Sequence, residues 1–166
     1  NFDTDVGDFS VRYIGSFIDT FDQEPGGVFA DMVAKKAAGE IPADIPLGGF
    51  GDLLLMDGNY DNKHTFRVSY RNGPFGANLT ALRKGEFYQS SLTRPDGTKF
   101  MIDSMTTMDL SFDYRFDLAG YSSKIRLAVK NVADERAPLA DRYYGYFADA
   151  HQDYGRNFYL DMNVKF

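Results

Sequence analysis

The chain has 166 residues, no cysteine, a formal net charge of −6 at pH 7 and 16% aromatic residues, all Phe or Tyr. The lack of cysteine excludes disulfides and thiolate metal sites, and the acidic balance argues against a nucleic-acid partner, since phosphates need a basic surface. The longest apolar run follows Asp52 and is far shorter than the roughly 20 residues that a membrane-spanning helix needs.

Six segments alternate apolar and polar side chains, which is the pattern of a β-strand with one apolar face. The fourth segment is the most regular, with Met108, Leu110 and Phe112 on one face and Asp109 and Ser111 on the other. The pattern predicts an all-β chain. In chain order the segments are residues 9–19, 63–71, 75–88, 107–116, 123–130 and 156–166.

Charged side chains occupy the centres of the polar faces, and two architectures account for that. A soluble β-sandwich uses the polar face as its outer surface and buries the apolar face between two sheets. A transmembrane β-barrel turns the apolar face to lipid and lines a wet lumen with the charged face. In the barrel, the lumen-facing charges of this chain are Arg12, Arg67, Asp109, Asp113, Arg115, Lys124, Arg126 and Asp161.

The connections between the segments favour the barrel. Short turns at residues 72–75 and 117–122 alternate with long connections at 20–62, 90–103 and 131–155. Outer-membrane barrels show this asymmetry, with short periplasmic turns, long outer loops and strands of about 9–11 residues. Aromatic residues also gather where an interfacial girdle is expected, near the short-turn ends of the segments: Phe9, Tyr70, Phe75, Phe116 and Phe166.

The closing region, from Lys130 to Phe166, resembles the C-terminus of TonB-dependent outer-membrane receptors. In that family an Asn-Leu-Phe-Asp-like segment ends a strand, and a Gly-Arg pair opens the last strand, which finishes on Phe. The matching residues here are the segment 131–134, where Val-Ala replaces the commoner Leu-Phe, then Pro138, the pair 155–156 and Phe166. Residues 5–19 and 63–88 resemble the preceding strand and hairpin of the same family.

The resemblance implies a 22-stranded antiparallel barrel in the cell outer membrane of a Gram-negative bacterium. Residues 1–166 would supply about the last six strands, and the N-terminal plug and earlier strands would lie outside this sequence. The implied function is active import of a scarce solute, such as a siderophore, cobalamin, haem or a saccharide, driven by the TonB–ExbB–ExbD system acting on the plug. A passive porin and a soluble β-sandwich binding module remain alternatives.

The resemblance also implies two macromolecular surroundings, outer-membrane lipid and the barrel assembly machinery. The final segment matches the signal by which that machinery recognises the last strand of a barrel. The signal consists of the alternating residues Phe158, Leu160, Met162, Val164 and Phe166.

The last long connection holds the candidate solute contacts. Tyr143, Tyr144 and Tyr146 offer rings for stacking and hydroxyls for hydrogen bonds, although rings packed on the barrel rim would give the same sequence. His151 lies between two carboxylates in "DAHQD", a pattern that holds a hard cation or, more commonly, stays solvated. We therefore predict that these four residues contact the solute, with no metal site and no cofactor.

Two further connections carry local signals. Residues 25–42 space apolar side chains at helical intervals between Gly and Pro, which predicts a short amphipathic helix. Asp96 and Gly97 predict a hairpin turn.

Catalytic chemistry finds little support, so we predict no enzymatic activity. His64 and His151 are the only imidazoles, and neither is paired by the sequence with Ser90 or Ser91. There is no Gly-rich phosphate-binding loop either.

Overall fold

A computed structural model of the chain describes residues 2–165, which form mostly antiparallel β-sheet with 6% helix. The prediction of an all-β chain is confirmed at this level. The elements are β1 Phe2–Thr4, β2 Gly7–Phe17, β3 Asp22–Gln23, α1 Val28–Ala37, β4 Gly51–Asp52, β5 Asn62–Asn72, β6 Phe75–Lys84, β7 Phe87–Thr93, β8 Lys99–Ile102, β9 Met105–Leu118, β10 Tyr121–Lys130 and β11 Asn157–Lys165.

A seven-stranded sheet in the order β1-β2-β5-β6-β9-β10-β11 forms the body of the structure. Every neighbouring pair is antiparallel, and within residues 2–165 the sheet is open, with β1 and β11 at its edges. Short turns join its strands at one end, and three long loops, residues 18–61, 85–104 and 131–156, leave from the other. The predicted alternation of short and long connections is confirmed.

The strand register collects the apolar residues on one face of the sheet. One row across the strands runs Tyr70, Ala77, Phe112, Leu127 and Leu160, each residue opposite the next. Because residues directly opposite each other in a ladder point to the same side, the alternation of each strand adds to a continuous apolar face. The rows between carry the polar side chains on the other face.

Two details differ from the sequence prediction. The short strands β1, β3 and β4 were missed, because two or three residues are too few to show an alternation. The third segment was wrongly extended to Tyr88, since β6 ends at Lys84 and a new strand begins at Phe87. The chain leaves the sheet at Gly85, where a Cβ would lie 2.9–3.1 Å from side-chain atoms of Asp61 and Asn62.

The long loops contain their own secondary structure. The predicted helix is confirmed as α1, and the predicted turn joins β7 to β8, with Gly97 at φ +83° and Asp96 accepting the Thr98 N–H at 3.0 Å. Among residues 2–165, no helix has the length and apolar character needed to cross a bilayer.

The buried hydrophobic cluster of the described residues lies in these loops and not on the sheet. Phe87, Ile102, Phe147 and Ala150 form one buried cluster, and Tyr60, Phe100 and Ala140 pack against it. It draws residues from all three long loops, and these loops with the buried cluster between them are called the loop cluster below. The sheet face, in contrast, leaves its large apolar side chains exposed, including Phe112, Leu127, Phe158 and Leu160.

Candidate functional site: the loop cluster and the two faces of the sheet

The first long loop joins the second through backbone hydrogen bonds. The Tyr88 N–H donates to the Leu55 carbonyl at 2.7 Å, and the Asp57 N–H donates to the Tyr88 carbonyl at 2.9 Å. Met56 and Tyr88 thereby form an isolated parallel bridge. This contact places the Asp57 side chain against the start of the β7–β8 hairpin.

Asp57 links the three loops. Its carboxylate accepts hydrogen bonds from the Ser90 N–H at 2.9 Å and the Ser90 hydroxyl at 2.5 Å. The Arg142 guanidinium, from the third loop, lies 3.5 Å from the same carboxylate and 4.3 Å above the Phe147 ring. One charged group therefore contacts residues of two other loops.

A buried amide makes the second link between the hairpin and the third loop. The Gln89 side chain is fully buried, donates to the Asp141 carbonyl at 2.9 Å and accepts from the Asp141 N–H at 3.0 Å. Its amide nitrogen also donates to the Ser91 hydroxyl at 2.8 Å. This reciprocal pair fixes the backbone just before the tyrosines.

Tyr143, Tyr144 and Tyr146 form a tyrosine platform at the tip of the third loop. The first two rings lie 4.9 Å apart and nearly perpendicular, and the second and third lie 6.3 Å apart. Tyr143 is 94% exposed and Tyr144 69% exposed, while Tyr146 is half-buried. The backbone beneath is a closed turn in which the Gly145 N–H donates to the Arg142 carbonyl. The platform thus presents aromatic surface from an ordered turn.

His151 lies apart from the platform, inside the hydrophobic cluster. It is 1% exposed and stacks on Phe87 with ring centroids 5.6 Å apart. Neither ring nitrogen has a hydrogen-bond partner among the described residues. Burial, and secondly the charge of Lys84, lower the His151 pKa below its usual value. A solute outside the loops can reach the exposed tyrosines but not the buried His151. Contact of the solute with His151 therefore stays a prediction, and it requires the loops to separate.

The carboxylates beside His151 do not converge on it as a cation site. Asp153 is held by Arg136 through two hydrogen bonds of 2.8 and 2.5 Å and also accepts the Ala137 N–H, which lowers its pKa to about 2. Asp149 is exposed. Within residues 2–165, no group of three or more His, Asp or Glu side chains is arranged to hold a metal ion.

The Asn131–Asp134 segment is a turn that delivers the chain from β10 towards β11. The Asn131 side chain donates to the Glu135 carbonyl at 2.8 Å and accepts the Glu135 N–H at 3.0 Å. The Asp134 carboxylate accepts the Arg156 N–H at 2.7 Å, at the entry to the last strand. The Asn and Asp of the motif therefore have a local structural role, and the two residues between them do not take part in these bonds.

The polar face of the sheet contains a charged groove of about 350 Å³, lined by residues that include Arg67, Asn78 and Arg126. At its side, Asp113 is nearly buried and pairs with Arg71 at 2.9 Å, across Gly76 of the intervening strand. A Cβ on Gly76 would lie 2.4–2.6 Å from these two side chains, so the pair needs glycine between its partners. Lys124 lies 3.8 Å from the same carboxylate.

Charge is distributed unevenly between the sheet and the loops. All the charged residues assigned from the sequence to a lumen lie on the polar face, where basic side chains outnumber acidic ones although the chain is acidic overall. Since the sheet holds this basic excess, the acidic excess lies in the loops. The basic side chains of the polar face are Arg12, Lys63, Arg67, Arg71, Lys84, Arg115, Lys124, Arg126, Lys130 and Lys165, and the acidic ones in the described strands β2 to β11 are Asp8, Asp109, Asp113, Asp117 and Asp161.

The residues of the predicted assembly signal share the apolar face. Phe158, Leu160 and Met162 are exposed there and Val164 is half-buried, each opposite an apolar or small residue of β10. Phe166 lies outside the described residues. The structure thus groups the first four of these side chains on one surface at an edge of the sheet.

Comparison of the chain with known protein families, curated proteins and solved structures found no match. Its function is therefore inferred from the two faces of the sheet and the loop cluster.

Proposed function

We propose that this chain is the C-terminal barrel segment of a TonB-dependent outer-membrane importer. The observation that carries the proposal is the apolar face of the sheet, which is continuous across the long strands and exposed along them. Leu160 is 72% exposed at the centre of β11, and Phe112 and Leu127 in the same row are about half exposed. Soluble monomers rarely leave a large contiguous apolar patch in water, whereas a lipid-facing barrel wall requires one.

Strand length supports a membrane location for this face. The long strands have 9 to 14 residues, and about 9–11 tilted residues cross the hydrocarbon layer. Aromatic pairs mark the short-turn end, with ring centroids 4.9 Å apart for Phe9 and Tyr70 and 4.7 Å for Phe75 and Tyr114. At the loop end, a hydrogen bond of 2.7 Å joins the Tyr13 hydroxyl to His64. Amphipathic rings at both ends suit two membrane interfaces.

The open edges of the sheet explain why a larger barrel is proposed. An unpaired strand edge in lipid leaves backbone groups without hydrogen bonds, at a cost of several kcal/mol each. In the proposed barrel, β11 therefore pairs with a strand outside this sequence. The alternation of Phe158 to Val164 then serves as the signal read by the assembly machinery.

Solute capture is assigned to the loop cluster. The platform residues Tyr143 and Tyr144 are exposed and ordered, and the links made by Asp57 and Gln89 hold them over one end of the sheet. Rings held in this way offer stacking and hydrogen-bonding area at little cost in side-chain entropy. The charged polar face below then forms part of the aqueous lumen through which the solute passes.

A passive porin is the second candidate, because it has the same barrel wall and the same final strand. It is separated by energy dependence, since import through a TonB-driven plug stops when the proton-motive force is collapsed. A soluble sandwich would need a second sheet over the apolar face, and residues 2–165 place none there.

Uptake by the full-length protein tests the proposal. Cells carrying Tyr143→Ala with Tyr144→Ala should lose most uptake of the transported solute, identified from a panel of chelates, cobalamin and saccharides. The matched control is Arg12→Ala on the polar face. This variant should retain most uptake, because the role proposed for a lumen charge is to keep the lumen hydrated and not to bind the solute. Equal losses would contradict the assignment of capture to the platform. Uptake that survives a protonophore would favour the porin.

A further inference from the structure

His151 is a buried titratable group that a solute cannot reach while the three loops are packed together. Its ring is packed between elements of different loops, with Phe87 of the hairpin on one face and Phe147 in the same cluster. Both ring nitrogens are without a partner among residues 2–165. A neutral imidazole tolerates this position at a moderate cost, but an imidazolium with two unsatisfied N–H donors does not.

The charges around His151 also oppose its protonation. Lys84, at the end of β6, acts on the ring, and its ammonium donates to the carbonyl of Ala150, the residue before His151. Phe87 from β7 and Phe147 from the third loop bring no charge. On its own segment, Asp153 is neutralised by Arg136. The described surroundings therefore contain a cation beside the ring and no carboxylate bonded to it.

We propose that His151 is a pH-sensitive lock on the loop cluster. When neutral, the ring fills the interior between the hairpin and the third loop and keeps the loops packed. When protonated, it leaves this interior for water and separates residues 131–156 from the β7–β8 hairpin. The lock depends only on the packing of the loops, so it stands whether or not the chain is part of an importer.

Movement of the His151 ring out of the cluster would also affect the tyrosine platform, because both belong to the same short segment of the chain. Phe147 and Ala150 lie in the buried cluster, and the Ala150 and His151 N–H groups both donate to the Phe147 carbonyl. A ring that leaves the cluster pulls on this turn, which immediately follows Tyr146. Acid is therefore expected to loosen the part of the loop that presents the tyrosines.

The direction of the pH effect follows from linkage. The pKa of His151 is lowered in the packed state, so the open state binds the proton more tightly. The packed state is fully favoured above the ordinary histidine pKa of about 6.5 and loses stability as the pH falls below it. Because one proton is involved, the ratio of packed to open loops falls up to about tenfold per pH unit until the lowered pKa is reached.

Hydrogen exchange of the full-length protein in detergent tests the lock. Backbone amides of residues 140–151 are followed between pH 5 and 7.5, and each rate is divided by its intrinsic rate at that pH. Protection should fall with decreasing pH in the wild type. In His151→Phe, which fills the same space without titrating, protection should be independent of pH.

The second histidine gives a matched control. His64→Phe leaves the loop cluster untouched, so the pH dependence should persist in that variant. Lys84→Met removes a cation that lowers the packed-state pKa of His151, so in that variant protection should fall with pH over a narrower interval, with the same onset near the ordinary histidine pKa. A wild type with pH-independent protection, or a His151→Phe variant that still opens in acid, would overturn the lock. Neither result would bear on membrane insertion or uptake.

Discussion

The sheet and the loops of this chain differ in how deeply their apolar side chains are buried. On the sheet, Leu160 and its neighbours are exposed, while in the loops Phe87 and Ile102 are almost completely buried. In a soluble protein the sheet would hold the core and the loops would hold little of it. This contrast is the one that the proposed barrel requires, in which the loops fold against water and the apolar face of the sheet meets lipid.

The largest effect is expected from a charge placed on the apolar face. Leu127→Arg should lower the free energy of unfolding of the full-length protein in lipid vesicles by about 2–4 kcal/mol, because a cation near the bilayer midplane loses its hydration. Equilibrium unfolding in urea measures the change.

The adjacent residue supplies the control for that substitution. Ala128 lies on the polar face, opposite Ser111 and Tyr159, so Ala128→Arg should cost much less than Leu127→Arg. Equal effects of the two substitutions would contradict a lipid-facing apolar surface.

A smaller effect is expected inside the loops, where burial is of the ordinary kind. Gln89→Ala leaves the N–H and carbonyl of Asp141 without their buried partners and should destabilise the loop cluster by about 1–3 kcal/mol. Hydrogen exchange of residues 87–93 and 139–147 reports the change. Ser91→Ala removes one hydroxyl at the edge of the network, and it should cost less. Unchanged protection in Gln89→Ala would refute the role of Gln89 in joining the hairpin to the third loop.

A smaller effect is expected at the ion pair on the polar face, because the partly exposed end of the Arg71 side chain can shift away from an added methyl group. Gly76→Ala places a methyl group between Arg71 and Asp113 and should lower stability by about 1 kcal/mol. In an Arg71→Ala background the crowding is partly relieved, so the same substitution should cost less. Additive effects in this double-mutant cycle would show that Gly76 does not serve the pair.

The smallest effect concerns the exposed pair of Arg136 and Asp153. The Asp153 pKa is lowered to about 2, chiefly by its hydrogen bond to Arg136, so the carboxylate's contribution is complete above about pH 4. That contribution is lost as the pH falls towards 2. Thermal unfolding should show a slightly steeper loss of stability in acid for the wild type than for Asp153→Asn. Parallel pH profiles would remove this role.

Local signals were enough to predict the six long strands of the sheet, α1 and the Asp96–Gly97 turn, because each depends on periodicity or on turn chemistry within a few residues. The same applies to the two faces of the sheet, since alternation fixes which side chains share a side. The sequence did not reveal β1, β3 and β4, which are too short, or the end of β6, because the break in alternation at Leu82 and Arg83 carries no turn signal of its own.

The loop cluster could not be predicted, because its contacts join residues far apart in the chain. Gln89 and Asp141 lie in different loops, and no local pattern pairs them. The sequence grouped Tyr143, Tyr144 and Tyr146 with His151 as solute contacts. The structure separates the group, since the first two tyrosines are exposed and His151 is buried. A histidine flanked by aspartates in the sequence is expected to be solvated, and the stacking of Phe87 on the His151 ring becomes apparent only in the folded chain.

The proposed barrel requires the apolar face to touch acyl chains, and site-directed fluorescence quenching measures that contact. Residues 1–166 contain no cysteine, so once any cysteine outside this sequence is replaced, single cysteines at positions 124–129 can each carry a fluorophore in the full-length protein. In vesicles of tail-brominated lipid, quenching should alternate, strong at 125, 127 and 129 and weak at 124, 126 and 128. Quenching that is equally weak at all six positions would contradict the account.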